Sequence, residues 1–461
     1  MTGEPYHLAV VGFDEIVSNK YMVCLEQARD EGFLQSYSIL DLESQREFIE
    51  ARISRLSFRP ERVFLLPDPP AGSEIPLHLV HDVFETLTAT YQRVHAYIAT
   101  EVRAHERYLK YCIEHRIPAL VEKPVIAPMT DGHFDPGQID PTIKGMMDAA
   151  ADTGTSHSVM TLSRYHGIYN SRVLESVKER VVRHGAPVTS FHLRAAGGVW
   201  NRECEYLERG DHPYKYGYGM LMHGAYHYVD LACQFLLLNT LVFGDSPLEM
   251  TVSAFGAFPR DQRARIPSGI AARLGEPVAS ADHAAMERFG ETDVVASFRV
   301  RDVSSGATVT LGTLAFEQTT PSIRHWAGFP PDVYNKNGRV SKVELEAQLS
   351  TLYAIHVQCY DGPHGVQRGE VLIADPDNID AHAVVSERAN AAMLAGERFN
   401  STESFSGLFH SDSNRALMSA WLRNEEERSR LATHRLPMLV TQALACAIRA
   451  VGETVTVRLV T

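Results

Sequence analysis

Residues 95–125, HAYIATEVRAHERYLKYCIEHRIPALVEKPV, change hydrophobic period twice. Ala96–Ala99 is a short apolar run. From about Val102 to His115 the spacing puts Leu109, Cys112 and Ile113 on one helical face, and Ala119–Val121 is apolar again. Strand, helix and strand at this spacing restrict the chain to a parallel pair joined by a crossover helix. The second strand delivers Lys123 at its carboxyl end, between Glu122 and Pro124. Ligands bind at that end of open α/β sheets, so Lys123 is placed to act as a positioned proton donor.

The same alternation runs through the first third of the chain. Leu8–Val11 is a strand opening on Gly12, with a helix after it to about Glu31. YSILDL ends a second strand near Asp41, RVFLLPD is a third, and LVHDVFETLTATYQ is helical. IAPMTDGHFDPGQIDP reads as a loop, TIKGMMDAAADTG as a helix stopped by Gly154, and SHSVMTL as the last strand of this sheet. A domain border is expected near Leu162. Beyond it PVTSFHLRA, EMTVSAFGAF, DVVASFRVR and ATVTLGTLAFEQ are strands in series, which suits a mostly antiparallel sheet packed on helices. LPMLVTQALACAIRAVGETVTVRL reads as an amphipathic helix closed by Gly452, then a strand.

With 461 residues there is material for two or three domains, and a net charge of −13 excludes nucleic acid and anionic membranes as favoured partners. Cysteines 24, 112, 204, 233, 359 and 446 form no Cys-x-x-Cys and read as reduced thiols of a cytoplasmic protein. The start MTGEPYHLAVVGF has no signal-peptide pattern. VDLACQFLLLNTLVF, at about 15 residues, is too short to span a bilayer easily and reads as a buried helix.

Tyr97-Ile98-Ala99-Thr100 through His105, followed by Glu122-Lys123-Pro124, resembles the glucose–fructose oxidoreductase, inositol dehydrogenase and MocA (Gfo/Idh/MocA) family. The resemblance runs from near residue 7 to the C-terminus and is poorest over 320–430. It implies an α/β Rossmann-like doubly wound parallel sheet at 1–162, plus an α+β domain with a large, mostly antiparallel sheet at 163–461, insertion-rich over about 320–430. It also implies NAD or NADP as cofactor, a small-molecule substrate and a homo-oligomer. The family pattern Gly-Gly-Gly-x-Leu-x-Asp-x-Gly-x-His-x-x-Asp aligns with Gly217, Gly219, Leu221, His227 and Asp230. By this resemblance His227 is the catalytic acid/base, facing Lys123 across a cleft. A histidine near its reference pKa of about 6.5 can accept or give a proton near neutrality. His223 stands where the family has Asp, and Ala225 where it has Gly. On one helix His223 and His227 would share a face. Such a pair is a possible metal face with Asp230, but no third ligand is identifiable, and no metal is expected.

The chain departs from the family at the cofactor loop. A dinucleotide fold carries Gly-x-Gly-x-x-Gly after its first strand; here the run is Gly12-Phe13-Asp14-Glu15-Ile16-Val17. Asp14 and Glu15 put negative charge where a diphosphate would sit. Thr100-Glu101-Val102 replaces the family's Thr-Pro-Asn. Gly12, Phe13, Asp41, Thr100, Glu122 and Lys123 are the candidate cofactor contacts. Asp41, 29 positions after Gly12, could bind ribose hydroxyls and favours NAD over NADP, or it could cap the next helix. Two readings stand: a weakened or displaced nucleotide site, or a fold that has lost its nucleotide, with Asp14 capping the helix.

Candidate substrate contacts are Arg164, Tyr165, Trp200 and Asp230. Arg164 and Tyr165 match a family run near substrate, where Arg could grip an anion in two-pronged fashion; the alternative is a structural role at the domain border. Trp200 and Asn201 follow a Gly-Gly pair and are expected to line the pocket, while Tyr214, Tyr216 and Tyr218 could supply hydroxyls or merely pack. The leading expectation is hydride transfer to or from a sugar- or polyol-like alcohol, ketone or imine, with Lys123 and His227 as acid/base pair and His223 orienting the substrate. The alternatives are a non-catalytic regulatory or scaffold relative and a nucleotide-independent proton-transfer enzyme.

Overall fold

The computed structural model describes residues 4–70, 74–210, 212–273, 286–320, 341–368, 371–394, 396, 399–407 and 410–459. The chain forms two compact units, Met1–His166 with His410–Met438, and Gly167–Phe409 with Leu439–Thr461.

In the first unit six strands, β1 (Tyr6–Val11), β2 (Leu34–Leu42), β3 (Arg62–Leu66), β4 (Val94–Ile98), β5 (Ala119–Glu122) and β6 (His157–Met160), form one parallel sheet in the order β3-β2-β1-β4-β5-β6. This is the doubly wound order expected from the alternating pattern, and its direction reverses between β1 and β4. β1, β4 and β6 are buried along their whole length, as in a sheet covered on both faces. Between β4 and β5 the helix Val102–Glu114 buries Leu109, Cys112 and Ile113, the three residues picked out by spacing. Gly154 ends the helix Ile139–Thr153 at φ 66°, a conformation glycine adopts without a Cβ clash.

The first unit also takes in 410–438, a return that the sequence reading did not include. Leu417, Met418, Trp421 and Leu422 of the helix His410–Leu422 join the core formed by Tyr6, Leu8 and Val10. The segment after this helix covers the edge strand β6. Val159 N–H donates to the Ser429 carbonyl at 2.9 Å, and Ser158 pairs with Arg430. An uncovered edge would be open to pairing with another chain.

In the second unit nine strands form one sheet: β7 (Val188–Ala196), β8 (Leu248–Ala257), β9 (Asp293–Asp302), β10 (Thr308–Glu317), β11 (Ser341–Leu349), β12 (Tyr353–Arg368), β13 (Val371–Ala389), β14 (Asn400–Ser406) and β15 (Val455–Leu459). Their order is β14-β13-β12-β11-β7-β10-β9-β8-β15, antiparallel except for β7 beside β10. Four of them, β11 to β14, come from the region that matched the family poorly. The apolar run read as a buried helix is Tyr226–Leu237, which packs on this sheet through Phe235 and Phe191, ring centres 5.2 Å apart. Among the described residues no helix is long and apolar enough to cross a membrane.

Three histidines are buried at the amino ends of the first sheet. His7 lies between the Ser36 and Ser38 hydroxyls at 2.8 and 2.9 Å, and His95 stacks on Tyr6 at 3.8 Å. His157 has no hydrogen-bond partner at either ring nitrogen. Desolvation lowers all three, to about 4, 3 and 4. The unfolded chain therefore takes up these protons first, and stability falls as pH drops from about 6.5 towards 4, by roughly 1–2 kcal/mol per histidine at pH 5. His157→Leu removes an unsatisfied imidazole. It should flatten this pH dependence and leave the thermal midpoint at pH 7.5 unchanged or higher, as followed by scanning calorimetry; a lower midpoint at pH 7.5 would contradict the assignment.

Candidate functional site

At the carboxyl end of the first sheet the strand reversal is closed by short contacts. Ala99 N–H donates to the Val11 carbonyl at 2.7 Å, and Gly12 N–H to the Leu40 carbonyl at 2.8 Å. Gly12 has φ 84°, and a Cβ on it would stand 2.9 Å from the Ala99 carbonyl and the Thr100 nitrogen. This glycine is required by the packing of the chain on itself, before any ligand is considered. Gly12, Phe13, Asp41 and Thr100 are thus brought together as the spacing implied.

The carboxylates here are engaged by backbone. Asp41 accepts from Phe13 N–H and Leu42 N–H, both at 2.7 Å, and burial raises its pKa against those two bonds. Asp14 accepts from Val17 N–H at 2.9 Å, at the start of the π-helical turn Val17–Tyr21 that leads into the helix Met22–Asp30. Asp14 is an exposed residue, yet its carboxyl feels the strand ends. Desolvation, with smaller contributions from Glu122 and Asp41, pushes it up to about 6 against its backbone bonds. Glu122 accepts from the Tyr97 hydroxyl at 2.7 Å and from the Tyr21 hydroxyl at 3.4 Å. Burial, then the Glu122 charge, holds both phenols well above the usual tyrosine range, so they remain donors. Lys123 follows, half-buried, and its peptide bond to Pro124 is cis.

These residues fit a dinucleotide unevenly. The Thr100 hydroxyl is buried without a partner, a group that a ligand at the β4 exit could satisfy. Asp41 keeps lone pairs for ribose hydroxyls beside its two backbone bonds. At the helix start, where a diphosphate would take backbone N–H groups, the chain's own Asp14 is already bonded.

Arg164 and Tyr165 make contacts within the first unit. The Arg164 guanidinium, almost fully buried, donates to the Arg428 carbonyl at 3.0 Å and the Thr433 carbonyl at 3.3 Å. The Tyr165 hydroxyl reaches Glu426 at 3.5 Å, and its ring lies under Arg428. These contacts lie along 424–434, beside the sheet edge.

In the second unit the helix begins at Tyr226, so His227 is on its first turn and His223 lies in the turn before it. The expected i, i+4 face of a single helix is therefore not formed. Long-range bonds set the turn instead: Met220 N–H donates to the Glu291 carbonyl and Leu221 N–H to the Glu291 carboxylate, both at 2.8 Å. Gly219 and Gly290 make this possible, since a Cβ on Gly219 would be 2.0 Å from the Glu291 carbonyl and one on Gly290 1.9 Å from Tyr218. His223 is buried among the rings of His212, Tyr214 and Tyr218 at 4.9, 4.9 and 5.7 Å. Glu291, its pKa raised by burial, was not found from sequence; a lone acid ahead of a strand carries no signal.

Asp230 has no accessible surface. It accepts from Gln234 at 3.1 Å, and Gln234 accepts from Asn170 at 3.2 Å. Trp200 is buried with an unpartnered indole N–H, and Asn201 has no accessible surface and neither amide atom partnered. Among the described residues no group of three His, Cys, Asp or Glu could hold a metal ion.

No family model and no curated relative matches the chain. Solved structures do. The WlbA dehydrogenase from Bordetella pertussis, in complex with NADH and UDP-GlcNAcA, is 13% identical with TM-score 0.56, covering 98% of this chain and 99% of its own. Levoglucosan dehydrogenase in its apo form is 12% identical with TM-score 0.55 over 100% of both chains. Aldose-aldose oxidoreductase from Caulobacter crescentus, complexed with glycerol, is 12% identical with TM-score 0.51, covering 98% and 100%. The chain shares its fold with these dehydrogenase and oxidoreductase structures. At these identities the likeness is one of fold.

Gly219→Ala should cost about 2 kcal/mol or more, because a methyl group must be forced against backbone. Gly224→Ala, whose nearest neighbour is the flexible end of Met220 at 3.6 Å, should stay within about 0.5 kcal/mol of the parent. Urea denaturation of the two variants checks this, and equal costs would show that the turn is not pinned by Glu291.

Proposed function

We propose that this chain is a nicotinamide-dependent oxidoreductase acting on an alcohol, ketone or imine carbon of a sugar- or polyol-like substrate, with Lys123 and His227 as its acid/base pair. The observation that carries this reading is Lys123 at the carboxyl end of β5, following a glutamate fixed by two buried phenols and one strand from the reversal of strand order. The shared fold supports it, since one protein of that fold was solved with NADH. Gly12, Phe13 and Thr100 would hold the nucleotide, and Asp41 its ribose, which favours NAD over NADP. The nicotinamide supplies the hydride acceptor or donor when bound. Lys123 gives or holds the proton at the substrate oxygen or nitrogen, His227 exchanges it, and His223, seated among its aromatic neighbours, orients the substrate.

Lys123→Met should lower nucleotide-dependent turnover by about 100-fold or more, the range of a lost general acid, while NAD affinity changes less than about 10-fold. Turnover is followed by absorbance of the reduced nicotinamide over a panel of hexoses, inositols and amino sugars. Unchanged turnover would remove Lys123 from the chemistry, and the absence of binding to NAD, NADH, NADP and NADPH in calorimetry would end the dehydrogenase reading.

A second reading, nucleotide-independent proton transfer by the same side chains, is favoured by the Asp14 carboxylate already seated on the helix N–H groups. The two readings differ in their response to pH. A dinucleotide must overcome the Asp14 charge, which is present above about pH 6 and absent below it. NAD affinity should therefore rise by about 5-fold from pH 7.5 to 5.5, and Asp14→Asn should give that gain at pH 7.5, for one repulsion of about 1 kcal/mol. Turnover of a substrate without nucleotide would select the second reading.

A further inference from the structure

We propose that His105 is the positioning residue for Lys123: its imidazole spans the exits of β4 and β5 and ties the turn that carries the lysine to the loop that receives Gly12. His105 lies on the first turn of the helix Val102–Glu114 and is buried. Its Nδ1 is 2.9 Å from the Pro124 carbonyl oxygen and its Nε2 is 2.9 Å from the Thr100 carbonyl oxygen. Pro124 is the residue after Lys123, and Thr100 is the residue whose backbone Gly12 approaches. One ring therefore touches both sides of the crevice floor.

The chemistry of the clamp is unusual. A neutral imidazole has one N–H and one lone pair, so it can donate to only one of two carbonyls; the other then faces a lone pair at 2.9 Å. Only the imidazolium donates to both. Burial lowers the His105 pKa, opposed first by the two carbonyls and then by Glu101 and Glu122. Glu101 itself pairs with Arg103 at 2.7 Å, and Glu122 is bonded to Tyr97 and Tyr21. Near neutral pH the ring therefore donates to one of the two carbonyls at a time, and a hydrophobic residue at 105 would leave both without a donor.

The consequence is mechanical. Lysine has a four-carbon flexible stem, so the place of its ammonium depends on how firmly its backbone is held. Glu122 is anchored on one side of Lys123 by the two phenols, and Pro124 on the other by His105. Displacement of such a group by about 1 Å is enough to cost about 100-fold in rate.

This role rests on the reading of Lys123 as the proton donor, and its test uses a readout that needs neither nucleotide nor substrate. Reductive ¹³C-dimethylation keeps the lysine charge, and the Lys123 signal, assigned by its loss in Lys123→Arg, is titrated by NMR in the full chain. His105→Phe should move the Lys123 titration by about half a pH unit or more, as its surroundings change. His105→Gln, whose amide nitrogen carries two N–H groups, should move it less. Leu109→Ala empties a buried site on the same helix without touching either carbonyl. It should lower the thermal midpoint and leave the Lys123 titration in place. Should His105→Phe not fold, His105→Asn takes its part, its shorter amide reaching one carbonyl at most. A Lys123 titration unchanged in the His105 variants, or shifted equally by Leu109→Ala, would overturn the assignment. A His105-dependent shift in a protein that binds no nicotinamide nucleotide would keep the clamp and sink the dehydrogenase reading.

Discussion

The close approach of Gly12 to Ala99 and Thr100 is the contact on which the first unit depends. It joins the ends of β1 and β4 where the strand order reverses, and a glycine is the only residue that can make it: φ is 84° and a Cβ would press on backbone at 2.9 Å. From it the rest of the crevice floor follows. Thr100 is held in place for His105, His105 reaches Pro124, and the turn at Pro124 sets Lys123. Glycine does the same service in the second unit, where Gly219 and Gly290 let the His223 turn lie directly on the backbone of Glu291.

Much of the fold was legible because its signals are local. β1 and β4 are short apolar runs, Gly154 stops its helix, and the change from alternating strand and helix to strands in series marks the second sheet. The position of Lys123 at a strand end was legible for the same reason. What the sequence did not disclose are contacts made across long separations. Arg164 donates to the carbonyls of Arg428 and Thr433, more than 260 positions away, and nothing in its neighbours in sequence signals that. His223 and His227 have helical spacing, but bonds from Glu291 hold the turn before Tyr226. Asp230 has no surface and accepts from Gln234, a burial that its place in the sequence does not announce. The strands β11 to β14 and the return of 410–438 were also missed, since pairing partners of a strand are not encoded in its own composition.

Electrostatics separates this chain from a generic dinucleotide fold. Asp14, Asp41 and Glu122 gather at one sheet end, and each is held by donors of the chain itself: N–H groups for the two aspartates, phenols for the glutamate. A carboxylate on the helix N–H groups satisfies the same donors that a diphosphate would use. At the start of this helix the acid that follows Gly12 already accepts from Val17 N–H, so an anion arriving there would meet a negative charge.

Lys123, at the end of β5, is the residue on which the proposed chemistry turns. A crystal structure with NADH bound tests this most directly. The dihydronicotinamide is expected at the exits of β4 and β5, with Lys123 Nζ within hydrogen-bond reach of a position beside its reactive carbon. Electron density placing the nucleotide elsewhere, or Lys123 Nζ turned away from that carbon, would contradict the assignment.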